Sequence, residues 1–323
     1  IAPVEEEDEV NIIGMKGYMN SVEMDPVFEE GESNVGVIIA KGSIVDGSAG
    51  PGSIAGDDFV KLVRKAYNDE TVKALVLRVD SGGGSAYASE VIADELEKFR
   101  NSGRPIIASM GGVAASGGYY ISTPADKILA ERHTITGSIG VGGSLPTFER
   151  ALEYIGINED GVSTVDITTS VAESLTEKDK ALFQMGTDLV YEKFISKVAE
   201  NRGVTKEEID NIARGKVWIG SKALEIGLID EIAGIDRAIE LAAELAEIND
   251  EKLGVKRINR DTNIDSFFAG MMAKISSSIV KITGLDFFYK KNGLVNEIEE
   301  SLNELSMLND PNGIYMKCFC ELD

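Results

Sequence analysis

An α/β fold built on a largely parallel sheet is predicted by two neighbouring stretches and by the alternation around them. Residues 73–79 (Lys-Ala-Leu-Val-Leu-Arg-Val) form an apolar strand pattern that runs into Asp80-Ser81-Gly82-Gly83-Gly84-Ser85, and a helical spacing follows over 86–99. A second apolar run, 104–108, leads into Ser109-Met110-Gly111-Gly112-Val113-Ala114-Ala115-Ser116-Gly117-Gly118, after which Tyr119-Tyr120-Ile121 resumes a helical pattern. Two strand–glycine turn–helix units in succession make a βαβ arrangement, whose ligand crevices lie beyond the carboxyl ends of the strands.

The remaining elements keep the alternation. Residues 35–40 are the first good strand, and 47–56 form a glycine-rich polar loop. Helical spacing over 57–67 places Phe59, Val60, Val63 and Ala66 on one face. Strand 128–130 comes next, then the glycine-rich run 137–143, then helical 148–154. A long amphipathic helix is expected over 177–201, capped by Thr176 with Asp179 three residues on. Thr205 with Glu208 gives the same signature for a helix to 213, and 236–248 closes the globular part. The expected division is an acidic lead-in or inter-domain linker at 1–34, one α/β domain at 35–248 and a helical C-terminal extension at 249–323.

Composition excludes several function classes. The net charge of −23, from 32 Lys+Arg against 55 Asp+Glu, opposes a nucleic-acid partner and attraction to anionic lipid. Residues 267–285 come nearest to a membrane segment, but Lys274, Lys281 and several serines interrupt them. That pattern fits a helix packed on its own protein or one lying on a membrane surface. Cys318 and Cys320 are spaced poorly for an unstrained disulfide and are too few for a zinc site, so free thiols are expected. No metal and no cofactor are called for.

The chemistry centres on Ser116. A serine between a buried strand and a helix, followed by Gly117 and Gly118, lies where free N–H groups can hold a developing oxyanion and where a substrate can approach the main chain. The same composition also suits a tight helix–strand packing site. A phosphate-binding role for 81–85 lacks both the Walker lysine and the GxGxxG spacing.

Together, Asp80-Ser81-Gly82-Gly83-Gly84 and Met110 to Tyr119 resemble the signal peptide peptidase A family of serine–lysine proteases, which has a fold of the Clp protease/crotonase type, a superhelix of ββα units. Further matches are Ile121-Ser122-Thr123-Pro124-Ala125, Thr136-Gly137-Ser138-Ile139-Gly140, Asp160-Gly161-Val162-Ser163-Thr164 and Gly215-Lys216-Val217-Trp218-Ile219-Gly220. The tail, with Leu308-Asn309-Asp310-Pro311 and Cys318-Phe319-Cys320, looks like the end of the long two-domain form. The resemblance implies Ser116 as nucleophile and Gly84 and Gly117 as oxyanion donors. The glycine-rich run 137–143 can pair its backbone with an extended peptide, as sheet edges do, or form an internal strand; the expected substrate-binding residues are Gly83, Ser85, Gly140, Val141 and Gly142.

A serine nucleophile needs a base. His133, the single histidine, lies outside the register of a Clp-type triad. The segment 160–175, where the short form of the family carries its lysine, has none, and neither Lys16 nor Lys41 matches the family's catalytic segment. The chain therefore reads as the C-terminal half of a long-form enzyme, inactive alone, with the lysine in an N-terminal half. By resemblance the whole would be a membrane-associated homo-oligomer, a tetramer of full-length chains. It would act on signal peptides and other unfolded apolar peptides on the non-cytoplasmic side, periplasmic or thylakoid, with its anchor outside this chain. A non-catalytic scaffold half and a crotonase-like acyl-CoA enzyme are the alternatives.

Overall fold

The computed structural model describes residues 30–50, 52–159, 164, 167, 170, 172–249, 253–259 and 308–318. The main sheet is built from β1 (Ser33–Lys41), β4 (Val72–Ser81) and β6 (Ile106–Ala115), three parallel neighbours whose central residues are mostly apolar and buried. Strands buried on both faces lose the polar alternation of a half-exposed sheet. Thus Leu75, Leu77 and Val79 of β4 enter one core cluster, while Ala74 and Val76 enter a second on the opposite face. The first face is covered by α1 (Gly56–Asn68), α2 (Ala86–Asn101) and part of α5 (Glu177–Arg202). The second is covered by α8 (Ile235–Leu245) through Ala238, Ala242 and Ala243.

Strand β6 is longer than the sequence suggests, and this shapes the site. The run 109–115, expected as a glycine turn, continues the strand. Residues 107–110 pair with β7 (Lys127–Ala130), and 113–115 pair with β8 (Ile135–Gly137). Glycine there reflects close packing: a Cβ on Gly111 would stand 3.2 Å from the Val79 carbonyl. Beyond β8 lie β10 (Val217–Ile219) and, past β7, β11 (Glu231–Ile232). The mixed α/β architecture with its parallel sheet is of the Clp protease/crotonase type.

The helix signals hold well. Thr176 and Asp179 form both halves of a capping box on α5, and Thr205 and Glu208 do so on α6 (Lys206–Ile212). The expected helical extension is different where it is described. Residues 253–257 form β12, parallel to β1, and Ile314–Lys317 form β13 in a second sheet. Both are short runs, β13 with its apolar positions buried and β12 with them partly buried, a pattern that periodicity cannot separate from a helix segment. Cys318 is disulfide-bonded and not a free thiol. Residues 1–29, 267–285, Cys320 and most of 160–171 lie outside the described residues.

A charged clasp ties the end of α5 to the sheet beneath the site. Arg202 donates to both Asp230 carboxylate oxygens, at 2.9 and 3.2 Å, and the Ile128 N–H donates to the same group at 2.8 Å. Burial pushes the Asp230 carboxyl up, but Arg202, the Ile128 N–H and Lys127 outweigh it and hold it below the usual range. Asp230→Ala leaves Arg202 half-buried without its partner and is expected to cost about 3 kcal/mol in urea unfolding at pH 7. Because the folded pKa is depressed, this contribution is present above the unfolded value of about 3.9 and is lost as pH falls through the folded one. The wild-type and variant stabilities should therefore converge in acid.

Candidate active site

The two glycine-rich segments meet because β4 and β6 are parallel neighbours with their carboxyl ends at the same edge. Ser81 at the end of β4 pairs with Ala114 near the end of β6. Past Ser81 the chain enters β5 (Gly83–Ser85), and past Ala115 it enters Ser116 and the single helical turn α3 (Gly117–Tyr120). A Cβ on Gly83 would lie 2.6 Å from the Gly117 nitrogen, and one on Gly118 would lie 2.4 Å from the Ser81 carbonyl. Nothing larger than glycine fits this approach.

Ser116 makes the turn between strand and helix with φ 55° and ψ −118°, a conformation costly for a residue with a Cβ. A strained serine between a strand and a helix is the local geometry of a nucleophile elbow. Its N–H donates to the Gly137 carbonyl and its carbonyl accepts from the Tyr120 N–H, both at 2.9 Å, so the backbone is fixed from both sides. The hydroxyl is buried and has no hydrogen-bond partner among the described residues. A buried hydroxyl without a partner is uncommon and calls for a reason.

The predicted oxyanion donors flank it. Cys318 donates its N–H to the Gly82 carbonyl at 2.7 Å, and Met316 stands opposite Gly84 in the antiparallel β5–β13 pair. Hydrogen-bonded pairs alternate along an antiparallel ladder, so Met316 and Gly84 form the next one, and the Gly84 N–H is aimed at the Met316 carbonyl. That oxygen is 2.0 Å from where a Cβ on Gly83 would stand and 2.9 Å from one on Gly117. A peptide carbonyl therefore lodges against the two predicted donor glycines. Gly83, by contrast, gives its N–H to Ser81 Oγ at 3.1 Å, and Ser81 Oγ–H donates to the Gly42 carbonyl at 2.6 Å.

The predicted peptide-binding residues divide. Gly83 lies in β5, and Gly142 lies in β9 (Gly142–Gly143), which pairs with β13 from the other side. Gly140 instead packs against Gly215, and Val141 packs on the main core. Ser85 spends its hydroxyl as the α2 cap, accepting from the Ala88 N–H at 3.0 Å and donating to Asp310 Oδ2 at 2.6 Å. Sequence reasoning missed Ser81 and Asp310. Asp310-Pro311-Asn312-Gly313 is a turn signal before an apolar run, which would have marked the tail strand.

No base is evident among the described residues. His133 is exposed. Lys41 is 75% exposed and lies 3.7 Å from Asp80. Lys197 is largely buried over the Tyr120 ring, but Asp94 and Glu97 bond it at 3.1 and 3.0 Å. Burial pulls its pKa down, yet those carboxylates raise it overall, which is the wrong direction for a neutral amine. Lys16 lies outside the described residues. Also among the described residues, no cluster suits a metal ion and no helix is long and apolar enough to cross a membrane.

Comparison with known proteins gives the family of the chain. The model of peptidase family S49 matches residues 98–249, which include Ser116 and the turn after it. Protease 4 of Haemophilus influenzae is 37% identical over 292 residues, covering 88% of this chain and 47% of that protein. The chloroplastic serine protease SPPA of Arabidopsis thaliana is 32% identical over 304 residues, covering 91% of this chain and 43% of that one. A Synechocystis protein with a protease designation is 33% identical over 197 residues, covering 60% of this chain and 70% of its own length. The chain thus spans less than half the length of the first two. With the strained serine, the glycine pair and these matches together, the chain belongs to peptidase family S49, the signal peptide peptidase A family.

Proposed function

We propose that this chain supplies the nucleophile and the oxyanion donors of a serine endopeptidase whose general base is a lysine on another segment or chain. The observation that carries the reading is Ser116 Oγ itself: buried, unpartnered among the described residues, and held on a strained turn where Gly83 approaches Gly117. A neutral lysine amine takes the Ser116 proton as Oγ bonds to the substrate carbonyl carbon. The N–H groups of Gly84 and Gly117 hold the resulting oxyanion, each worth a factor of about 10² to 10³ in turnover. The C–N bond then breaks, and the lysine returns its proton to the leaving amine. Water, deprotonated by the same lysine, bonds to the acyl carbon, the acyl C–Oγ bond breaks, and the lysine returns that proton to Ser116 Oγ.

The carbonyl already seated against Gly83, Gly84 and Gly117 supports this use of the two donors. The substrates we assign are cleaved signal peptides and other extended apolar peptides. The working form is a membrane-associated tetramer of longer chains on the non-cytoplasmic side, with the lysine in an N-terminal half. The chain alone should show no peptidase turnover and only background labelling by a fluorophosphonate. Co-expression with an N-terminal half of a long-form relative should restore both, with the label on Ser116 by peptide mass mapping. Labelling at another residue, or full turnover by the isolated chain, would overturn the assignment.

A further inference from the structure

Strands β4 and β6 do not stay in step to their ends. Val79 stands opposite Met110, yet Ser81 stands opposite Ala114, so an advance of two residues on β4 is matched by four on β6. The surplus is a bulge at 111–113, in which Gly111 closes against β4 and Gly112 is exposed. Had the register continued, Gly112 would face Ser81, and Ser116 would stand two residues, about 6–7 Å, farther along the sheet. The bulge therefore draws Ser116 back toward the end of β4. That end is fixed independently. Beyond Ser81 the chain enters β5, which is held in a second sheet of order β3 (Ser53–Ala55), β2 (Ser43–Val45), β5, β13, β9. The predicted donor Gly84 belongs to this fixed frame, and the bulge sets Ser116 against it. Bulges beside active sites serve to re-aim a side chain.

On its other side β6 changes neighbours at the same place. Residues 107–110 pair with β7 and 113–115 with β8, so the bulge faces the gap between those two strands. Thr134 lies in that gap and is 2% exposed. Its hydroxyl accepts the Glu131 N–H at 3.0 Å and donates to the Gly111 carbonyl at 2.7 Å. Its backbone is tied as well: the N–H donates to the Glu131 carbonyl at 3.1 Å, and the carbonyl accepts the Gly220 N–H at 2.8 Å. From the β4 side, Arg78 donates to the Met110 carbonyl at 3.2 Å, and Asp80 Oδ1 accepts the Val113 N–H at 3.3 Å. Of these three side-chain bonds to the bulge, the one from Thr134 is the shortest and the most deeply buried. We propose that Thr134 is a positioning residue for Ser116: its hydroxyl pins the Gly111 carbonyl, keeps the bulge closed and so sets the depth of the nucleophile against the Gly84 and Gly117 donors. This role rests on the serine-peptidase reading above. Thr134 acts through β6 and not by contact with substrate. Displacing a reacting group by about 1 Å costs on the order of 10²-fold in rate.

The test compares Thr134→Val, which keeps the branched shape and removes the hydroxyl, with Thr134→Ser, which keeps the hydroxyl. Both are assayed for peptide hydrolysis in the reconstituted assembly, below the melting temperature of each. Thr134→Val should lower kcat about 10- to 100-fold and leave KM within about 2-fold, while Thr134→Ser should stay within about 3-fold of the parent in kcat. An unaltered kcat in Thr134→Val, a loss confined to KM, or a Thr134→Ser as slow as Thr134→Val would overturn the proposal. Hydrogen exchange on this chain alone gives a second readout that needs no reactive serine. The Ser116 N–H, bonded to the Gly137 carbonyl, should exchange about 10-fold faster in Thr134→Val, with the amides of β4 unchanged. No change at Ser116, or the same acceleration throughout β4, would likewise overturn it. A parent assembly without turnover would sink the peptidase reading alone, and exchange at Ser116 would still decide the placement.

Discussion

Ser116→Ala is expected to abolish peptide hydrolysis by the reconstituted assembly while leaving the chain at least as stable as before. Removing a nucleophile that acts as a unit with its base lowers turnover by on the order of 10⁴-fold or more. The stability expectation has a separate origin. The Ser116 hydroxyl is buried with no hydrogen-bond partner among the described residues, so its removal breaks no bond found there and takes away an unsatisfied polar group. That change is neutral or stabilising by up to about 1 kcal/mol. Ser116→Gly should be more stable still, because glycine adopts φ 55° without the cost a Cβ imposes. Turnover and thermal melting on the same samples check both. A variant that retains activity removes Ser116 from the reaction, and one that melts well below the parent shows its hydroxyl to be a structural partner.

Gly84→Ala is expected to be the most damaging single methyl group in the site. Its Cβ would stand 1.9 Å from the Ile44 carbonyl oxygen and 2.9 Å from the Ile44 nitrogen. Both are backbone atoms of β2, the strand that flanks β5 on the side away from β13. No rotamer change relieves such a contact, so β2 and β5 must separate. The loss should be on the order of 3 kcal/mol or more in urea unfolding. Gly142→Ala is the matched control. Nothing stands within 4 Å of its Cβ and its φ is not positive, so a change within about 0.5 kcal/mol is expected. Equal stabilities for the two variants would mean that β2 and β5 do not approach as described.

Much of the scaffold was legible in the residues themselves. Short apolar runs bounded by glycine or polar residues located β1, β4, β6 and β7, because strands buried on both faces must be continuously apolar. The Thr176/Asp179 and Thr205/Glu208 spacings located α5 and α6, because a cap satisfies N–H groups that no helical partner reaches. Ser116 was legible for a different reason, since glycine on its C-terminal side and small residues before it announce a close backbone approach. What misled was the reading of 109–115 as a turn, where glycine in fact serves the packing of a strand against Val79 and Asp80. The free-thiol reading of Cys318 failed, since that residue is disulfide-bonded.

The sequence by itself determined the α/β class and the order of most elements, because these rest on local periodicity, caps and turn chemistry; Ser116 as candidate nucleophile came from the family resemblance. Only the tertiary structure decided how Gly83 and Gly117 meet beside Ser116, since that depends on the parallel register of β4 against β6. Nor could local pattern show that Ile314–Lys317 lies between β5 and β9, or that Asp310 bonds to Ser85 across 225 positions of chain. A strand held by glycine walls is recognised through its backbone, which every sequence shares, so its partner leaves no mark in the side chains.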